Sequence, residues 1–98
     1  MTLDINKILK GEPGFDHRGA SMGRAEDFPS SPCRAYVQRV RLGSGGYDSG
    51  GAYWGLPDDL WCGFDWEGTM RLFVRAQSRQ EAKAQIKGRV KTEVRFYR

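Results

Sequence analysis

The stretch from Gly43 to Asp58, read as Gly-Ser-Gly-Gly-Tyr-Asp-Ser-Gly-Gly-Ala-Tyr-Trp-Gly-Leu-Pro-Asp, is the first place where residue types and spacing suggest chemistry. Glycine-dense loops cradle phosphate when they follow a strand and open a helix, because backbone N–H groups and the helix N-terminus then face the anion. This loop departs from GxGxxG spacing at its last position and has no Lys-Ser or Lys-Thr pair. It also runs into aromatics and a proline rather than a helix. Nucleotide binding is therefore not expected. The same residues suit recognition, since glycine lets backbones approach closely and Tyr47, Tyr53 and Trp54 supply contact area at low entropic cost. With Asp48 they form the candidate partner-binding set; the alternative is that the aromatics fold back and cap the end of a sheet.

Catalysis has little to work with. His17 is the single imidazole and lies in a segment without regular pattern, and an isolated histidine is more often solvated than a base. Asp48, Asp58, Asp59 and Asp65 could approach one another, but paired-carboxylate chemistry needs a cleft and a defined separation. Asp58-Asp59 after Pro57 reads as turn chemistry. Cys33 and Cys62 stand 29 positions apart with no CxxC, so with His17 they fall short of a zinc site and read as two separate thiols. No catalytic residue, metal ligand or cofactor is assigned, and the chain is read as a non-enzyme.

Basic residues are unevenly placed. Residues 71–98 hold nine Lys or Arg against Glu81 and Glu93, within a chain of net charge +4. Such a field attracts polyanions, whether nucleic acid or an acidic protein face. Arg39 and Arg41 share one predicted strand face, Arg71, Phe73 and Arg75 another, and Arg95 and Tyr97 a third. Together they outline a sheet surface of cations around Phe73, Tyr97 and Trp61, the platform on which single-stranded nucleic acid stacks. Arg79, Lys83 and Lys87 add a stripe at i, i+4 and i+8 along a helix. The competing reading makes all of these the solvated faces of amphipathic elements.

The elements that must position these residues follow from pattern. Residues 1–32 read as an irregular N-terminal arm, with a short helix over 3–10 ended by Gly11 and Pro13, and with Phe15, Met22 and Phe28 pinning the arm down. A single α+β domain is expected over 33–98. Arg34 to Leu42 predicts a strand, and Asp59–Trp66 and Met70–Ala76 a hairpin turned at Glu67-Gly68. In the hairpin Leu60, Cys62, Phe64 and Trp66 share one face. Met70, Leu72, Val74 and Ala76 point inward, and Arg71, Phe73 and Arg75 point to a wet face. Ser78-Arg79-Gln80-Glu81 predicts a capping box in which the Glu81 side chain reaches back to the cap. Ala82, Ile86 and Val90 line the buried edge of the helix, and Gly88 closes it in a left-handed conformation. Lys91–Tyr97 is the last strand, with Val94 and Phe96 assigned to opposite faces. The fold class is α+β: a three- to four-stranded, largely antiparallel sheet in the order β-β-β-α-β with one packed helix.

Ninety-eight residues leave room for one core but not for a deep enclosed cavity. A hydrophobic content of 39% with 12% aromatics argues against wholesale disorder. No apolar run approaches the ~20 residues that cross a bilayer, and the first residues lack the pattern of a signal peptide. A cytoplasmic protein with reduced thiols and no membrane partner is expected.

Three segments together carry a resemblance: Gly19-Ala20-Ser21-Met22-Gly23-Arg24; Gly45-Gly46-Tyr47-Asp48-Ser49-Gly50-Gly51-Ala52-Tyr53-Trp54-Gly55; and Phe73-Val74-Arg75-Ala76-Gln77-Ser78-Arg79 leading to Ala82-Lys83. In this order they resemble small uncharacterised proteins encoded by phages, prophages and plasmids of proteobacteria. The resemblance spans roughly residues 19–83 and brings no activity and no catalytic residue with it. It implies a mobile-element origin and a bacterial host cytoplasm. The expectation is a non-enzymatic binding protein that inhibits a host defence complex of the CRISPR nucleoprotein type, its partner a host or phage protein or nucleoprotein. The alternative is a binder of RNA or single-stranded DNA through the basic and aromatic sheet face.

Overall fold

The computed structural model describes residues 23–43, 45–48, 50–55 and 59–97. The expected helix over 3–10, His17 and the pinning residues Phe15 and Met22 lie outside the described residues, as does Asp58. The chain divides into two compact units, one holding residues 26–39 and 59–98, the other residues up to 25 together with 40–58.

The first unit is α+β. Its elements are β1 (Cys33–Arg39), β2 (Leu60–Asp65), β3 (Arg71–Arg75), α1 (Arg79–Arg89) and β4 (Val94–Phe96). The sheet order is β3-β2-β1-β4, with β1–β2 and β2–β3 antiparallel and β1–β4 parallel. Strands β3 and β4 therefore run the same way at opposite edges, and α1 connects them while packing on β1, β2 and β3. Each strand is shorter than its pattern suggested. β1 stops at Arg39, so Arg41 is not a strand residue and does not share a strand face with Arg39.

One sheet face meets the helix. Ala35, Val37, Trp61, Leu72 and Val74 pack there against Ala82, Ile86 and Val90, the fourfold set expected on the helix. Gly63 is what lets α1 approach β2: a Cβ at this position would lie 2.7 Å from Ile86 Cδ1 and 3.2 Å from Met70 Cε. The Trp61 indole N–H, drawn into this layer, donates to the Ala76 carbonyl at 3.0 Å.

The other face overturns the hairpin reading. Register places Cys62 opposite Phe73 and Phe64 opposite Arg71, so the apolar set of β2 shares its face with Arg71, Phe73 and Arg75 instead of with Leu72 and Val74. That face is not wet there: Leu60, Cys62, Phe64 and Phe73 are all buried. Strand β2 is flanked on both sides and covered on both faces, a state in which alternation loses its meaning. Phe73 is therefore a core residue and not a displayed ring.

Three details of the helix and last strand also differ. Ser78, in extended backbone, caps α1 by accepting the Glu81 N–H at 3.2 Å, but Glu81 reaches past the cap to the Gln77 N–H at 3.4 Å. Gly88 lies within the helix, which ends at Arg89 with Val90 extended. Val94 and Phe96 are two positions apart in β4, and the pleat puts them on the same face, both against the core.

Of the expected arm, residues 23–32 are described and contain no helix or strand run. Asp27 bridges Arg71 in antiparallel fashion through hydrogen bonds of 2.9 and 2.8 Å. Glu26 accepts the Phe73 N–H at 2.9 Å and holds Arg89 in a two-bond fork. Burial pushes the Glu26 carboxyl up, but the Arg89 and Phe73 hydrogen bonds and the Arg89 charge outweigh it and hold it below its ordinary value.

Candidate functional site

In the second unit the glycine-dense segment folds around one carboxylate. Asp48 Oδ2 accepts from Arg24 Nε at 3.0 Å and from the Trp54 indole at 2.9 Å. Its Oδ1 accepts from Arg24 Nη2 at 2.9 Å, from the Gly50 N–H at 2.9 Å and from the Ala52 N–H at 3.0 Å. The Asp48 side chain is fully buried and that of Arg24 is 3% exposed. Burial alone would raise the Asp48 carboxyl. The hydrogen bonds from Arg24, Trp54 and Ala52, with the Arg24 charge, outweigh it and keep the group below the usual carboxylate range.

Backbone contacts complete the frame. Gly46 O accepts from the N–H groups of Trp54 and Gly55, Asp48 and Ala52 pair, and Gly23 donates to the Tyr53 carbonyl at 2.6 Å. Gly46 has φ +86°, and a Cβ there would fall 2.5 Å from the Gly55 Cα, so glycine is required both for conformation and for space. The result is a short paired segment in which Tyr47 bridges Tyr53. Their rings lie 5.2 Å apart, and they are 49% and 42% exposed.

The four loop residues singled out in the sequence thus divide into two kinds. Tyr47 and Tyr53 come together as an exposed aromatic pair. Asp48 and Trp54 turn inward as the frame beneath them, and the half-buried Trp54 ring lies against Gly23. Asp48 is consequently a positioning residue and offers no free oxygen to a partner. Sequence reasoning missed Arg24, the residue that makes this burial possible; the signal was present only as one basic residue inside the first of the three resemblance segments.

The predicted basic and aromatic surface is dispersed. Arg71 lies 3.7 Å from Asp27, Arg75 2.9 Å from Asp59 and Arg95 3.2 Å from Glu93. Phe73 is in the core, and Arg41 belongs to the other unit. Arg39 is exposed at the end of β1, across from Trp61. Arg79, Lys83 and Lys87 stay together along one flank of α1. The Arg79 guanidinium stands 5.9 Å from the Trp61 ring and donates to the Val37 carbonyl at 3.0 Å. Lys83 and Lys87 each stand 5.7 Å from the Phe96 ring.

Of a second group of rings, only Tyr97 was expected on a binding surface. Tyr36 stacks on Tyr97 at 4.3 Å and on Phe64 at 5.8 Å, and the Arg34 guanidinium lies 4.8 Å from the Tyr97 centroid. Trp66 is 43% exposed, meets Tyr36 edge-on and donates its indole N–H to the Tyr36 hydroxyl at 2.9 Å. These residues sit on neighbouring strands and come together only through the β1–β2 and β1–β4 registers. Arg34, Trp66 and Tyr97 border an open cleft of about 250 Å³ that also touches Ser31, Glu67 and Thr69.

Of the other carboxylates named from sequence, Asp65 and Asp59 serve structure. Asp65 accepts from the Thr69 hydroxyl and from the N–H groups of Thr69 and Met70, closing the β2–β3 turn, and Asp59 holds Arg75. Among the described residues no group of three His, Cys, Asp or Glu is placed to hold a metal, and no helix is long and apolar enough to cross a membrane. Cys62 is buried and Cys33 partly so, both as free thiols. No family model matches the chain, and neither a curated protein nor a solved structure matches it.

Proposed function

We propose that this protein is a non-enzymatic binding protein that docks on another macromolecule through the Tyr47–Tyr53 pair. One observation carries the reading: a buried ion pair and five hydrogen bonds on Asp48 are committed to holding a surface segment whose outward feature is two half-exposed tyrosines. Tyrosines held rigidly in this way lose little entropy on contact, the property that makes them common anchors at interfaces. The segment organised by Asp48 is also the one in which the resemblance to phage, prophage and plasmid proteins is most specific. That resemblance implies only a mobile-element origin; from this context the target class proposed is a host defence nucleoprotein complex in the bacterial cytoplasm, which the protein would inhibit by occupying a surface. The alternative expected from sequence, a strand of nucleic acid laid across the sheet face, loses Phe73 to the core and Arg71 and Arg75 to ion pairs, while Arg95 stays exposed beside Glu93.

The test is a nuclease-treated pulldown from host lysate with the wild-type protein and a Tyr47→Ala/Tyr53→Ala variant. Stoichiometric capture of a nucleoprotein component by the wild type, lost in a variant that melts at the same temperature, is expected. Absence of a stoichiometric protein, or capture unaffected by the double substitution, overturns the reading.

A further inference from the structure

Three of the cations picked out by sequence keep a common surface after folding. Arg79, Lys83 and Lys87 project from successive turns of α1, about 6 Å of helix rise apart, and among the described residues none of them pairs with a carboxylate. Lys83 and Lys87 overhang Phe96. The next residue, Tyr97, belongs to the opposite sheet face and carries Arg34 over its ring, with Tyr36 stacked beneath and Trp66 exposed beside it. Because Phe96 and Tyr97 are consecutive, the lysine cluster and Tyr97 lie on the two sides of the short β4 edge, with Tyr36 on β1 and Trp66 at the end of β2 continuing the ring cluster inward.

We infer that this margin is a binding site for single-stranded nucleic acid, with phosphates on Lys83, Lys87 and Arg79 and bases against Trp66 and the outer plane of the Arg34 guanidinium. Charge decides which side does which. The α1 flank is cationic without acidic partners, whereas Glu67 adjoins Trp66 and would repel phosphate. A base carries no such charge and has a π-face that stacks on Trp or on a guanidinium plane. A single strand fits because its bases are unpaired and can turn onto the rings while the backbone follows the lysines. A duplex keeps its bases stacked inside and presents only phosphate. This site is independent of the Tyr47–Tyr53 reading and shares no residue with it.

The experiment is fluorescence anisotropy with short labelled oligonucleotides, single-stranded RNA and DNA and a duplex of the same sequence, over a range of salt. Wild-type protein should bind both single strands at low salt and more tightly than the duplex. Lys83→Gln/Lys87→Gln should reduce the slope of log K against log salt by about 1.4, two contacts at ~0.7 each. Trp66→Ala should weaken single-strand binding about tenfold with the salt slope unchanged, while Tyr47→Ala/Tyr53→Ala should leave binding as it was. No binding at low salt overturns the inference. So does a slope unmoved by the lysine pair, or equal affinity for duplex.

Discussion

The Arg24 guanidinium grips both oxygens of the Asp48 carboxylate, at 3.0 and 2.9 Å, with the two side chains 3% and 0% exposed. Removing Arg24 leaves the buried Asp48 charge with only the neutral donors Trp54, Gly50 and Ala52, and removing Asp48 takes the carboxylate away from a buried guanidinium. Asp48→Ala or Arg24→Ala should therefore cost about 3–5 kcal/mol in urea unfolding. The double variant should lose much less than the sum, and additive losses would show that the two groups are not coupled.

Acid should undo the same contacts. Asp48 and Glu26 are both held below their ordinary values, so each adds stability above the unfolded-state value of about 4 and loses it as pH falls through the lower folded-state value. The urea midpoint should stay level from neutral pH to about 5 and decline below about 4. Glu26→Gln should flatten part of that decline, and an unchanged acid profile in this variant would remove the Arg89 fork as a source.

Two glycines separate conformation from space. Gly46 and Gly51 both have positive φ, but a Cβ at Gly46 would meet the Gly55 backbone whereas one at Gly51 would meet nothing within 4 Å. Gly51→Ala should cost about 1 kcal/mol. Gly46→Ala adds displaced backbone and should cost about 3 kcal/mol. It should also abolish capture of the Tyr47–Tyr53 partner. Equal losses at the two sites would contradict the close approach of Gly46 to Gly55.

Thiol labelling reads out the sheet register. Burial raises both thiols; for Cys33 the Asp65 and Glu67 charges add to it, and for Cys62 burial dominates. Thiolate is the reactive form. Under native conditions at mildly alkaline pH, iodoacetamide should modify Cys33 more slowly than free cysteine and Cys62 only after unfolding. Mass spectrometry that finds Cys62 labelled as fast as Cys33 in the folded protein would mean that the Cys62–Phe73 pairing is wrong.

Local signals sufficed for the succession of elements. β-formers marked β1, a short turn marked β2 and β3, Ser78 and Glu81 marked the start of α1, and Ala82, Ile86 and Val90 marked its buried edge, because each of these depends on neighbours within a few positions. What the fold alone decided were pairings between distant residues. The β2–β3 register turned Phe73 from a displayed ring into core, and ion pairing with Asp27 and Asp59 took Arg71 and Arg75 out of the basic surface. Arg24 found Asp48 across 24 positions, and Tyr36, Trp66 and Tyr97 met only once three strands were aligned. Period-two alternation says which residues of a strand share a face. It cannot say which face of the neighbouring strand they join, or which distant charge closes on which, since those depend on contacts that sequence spacing does not encode.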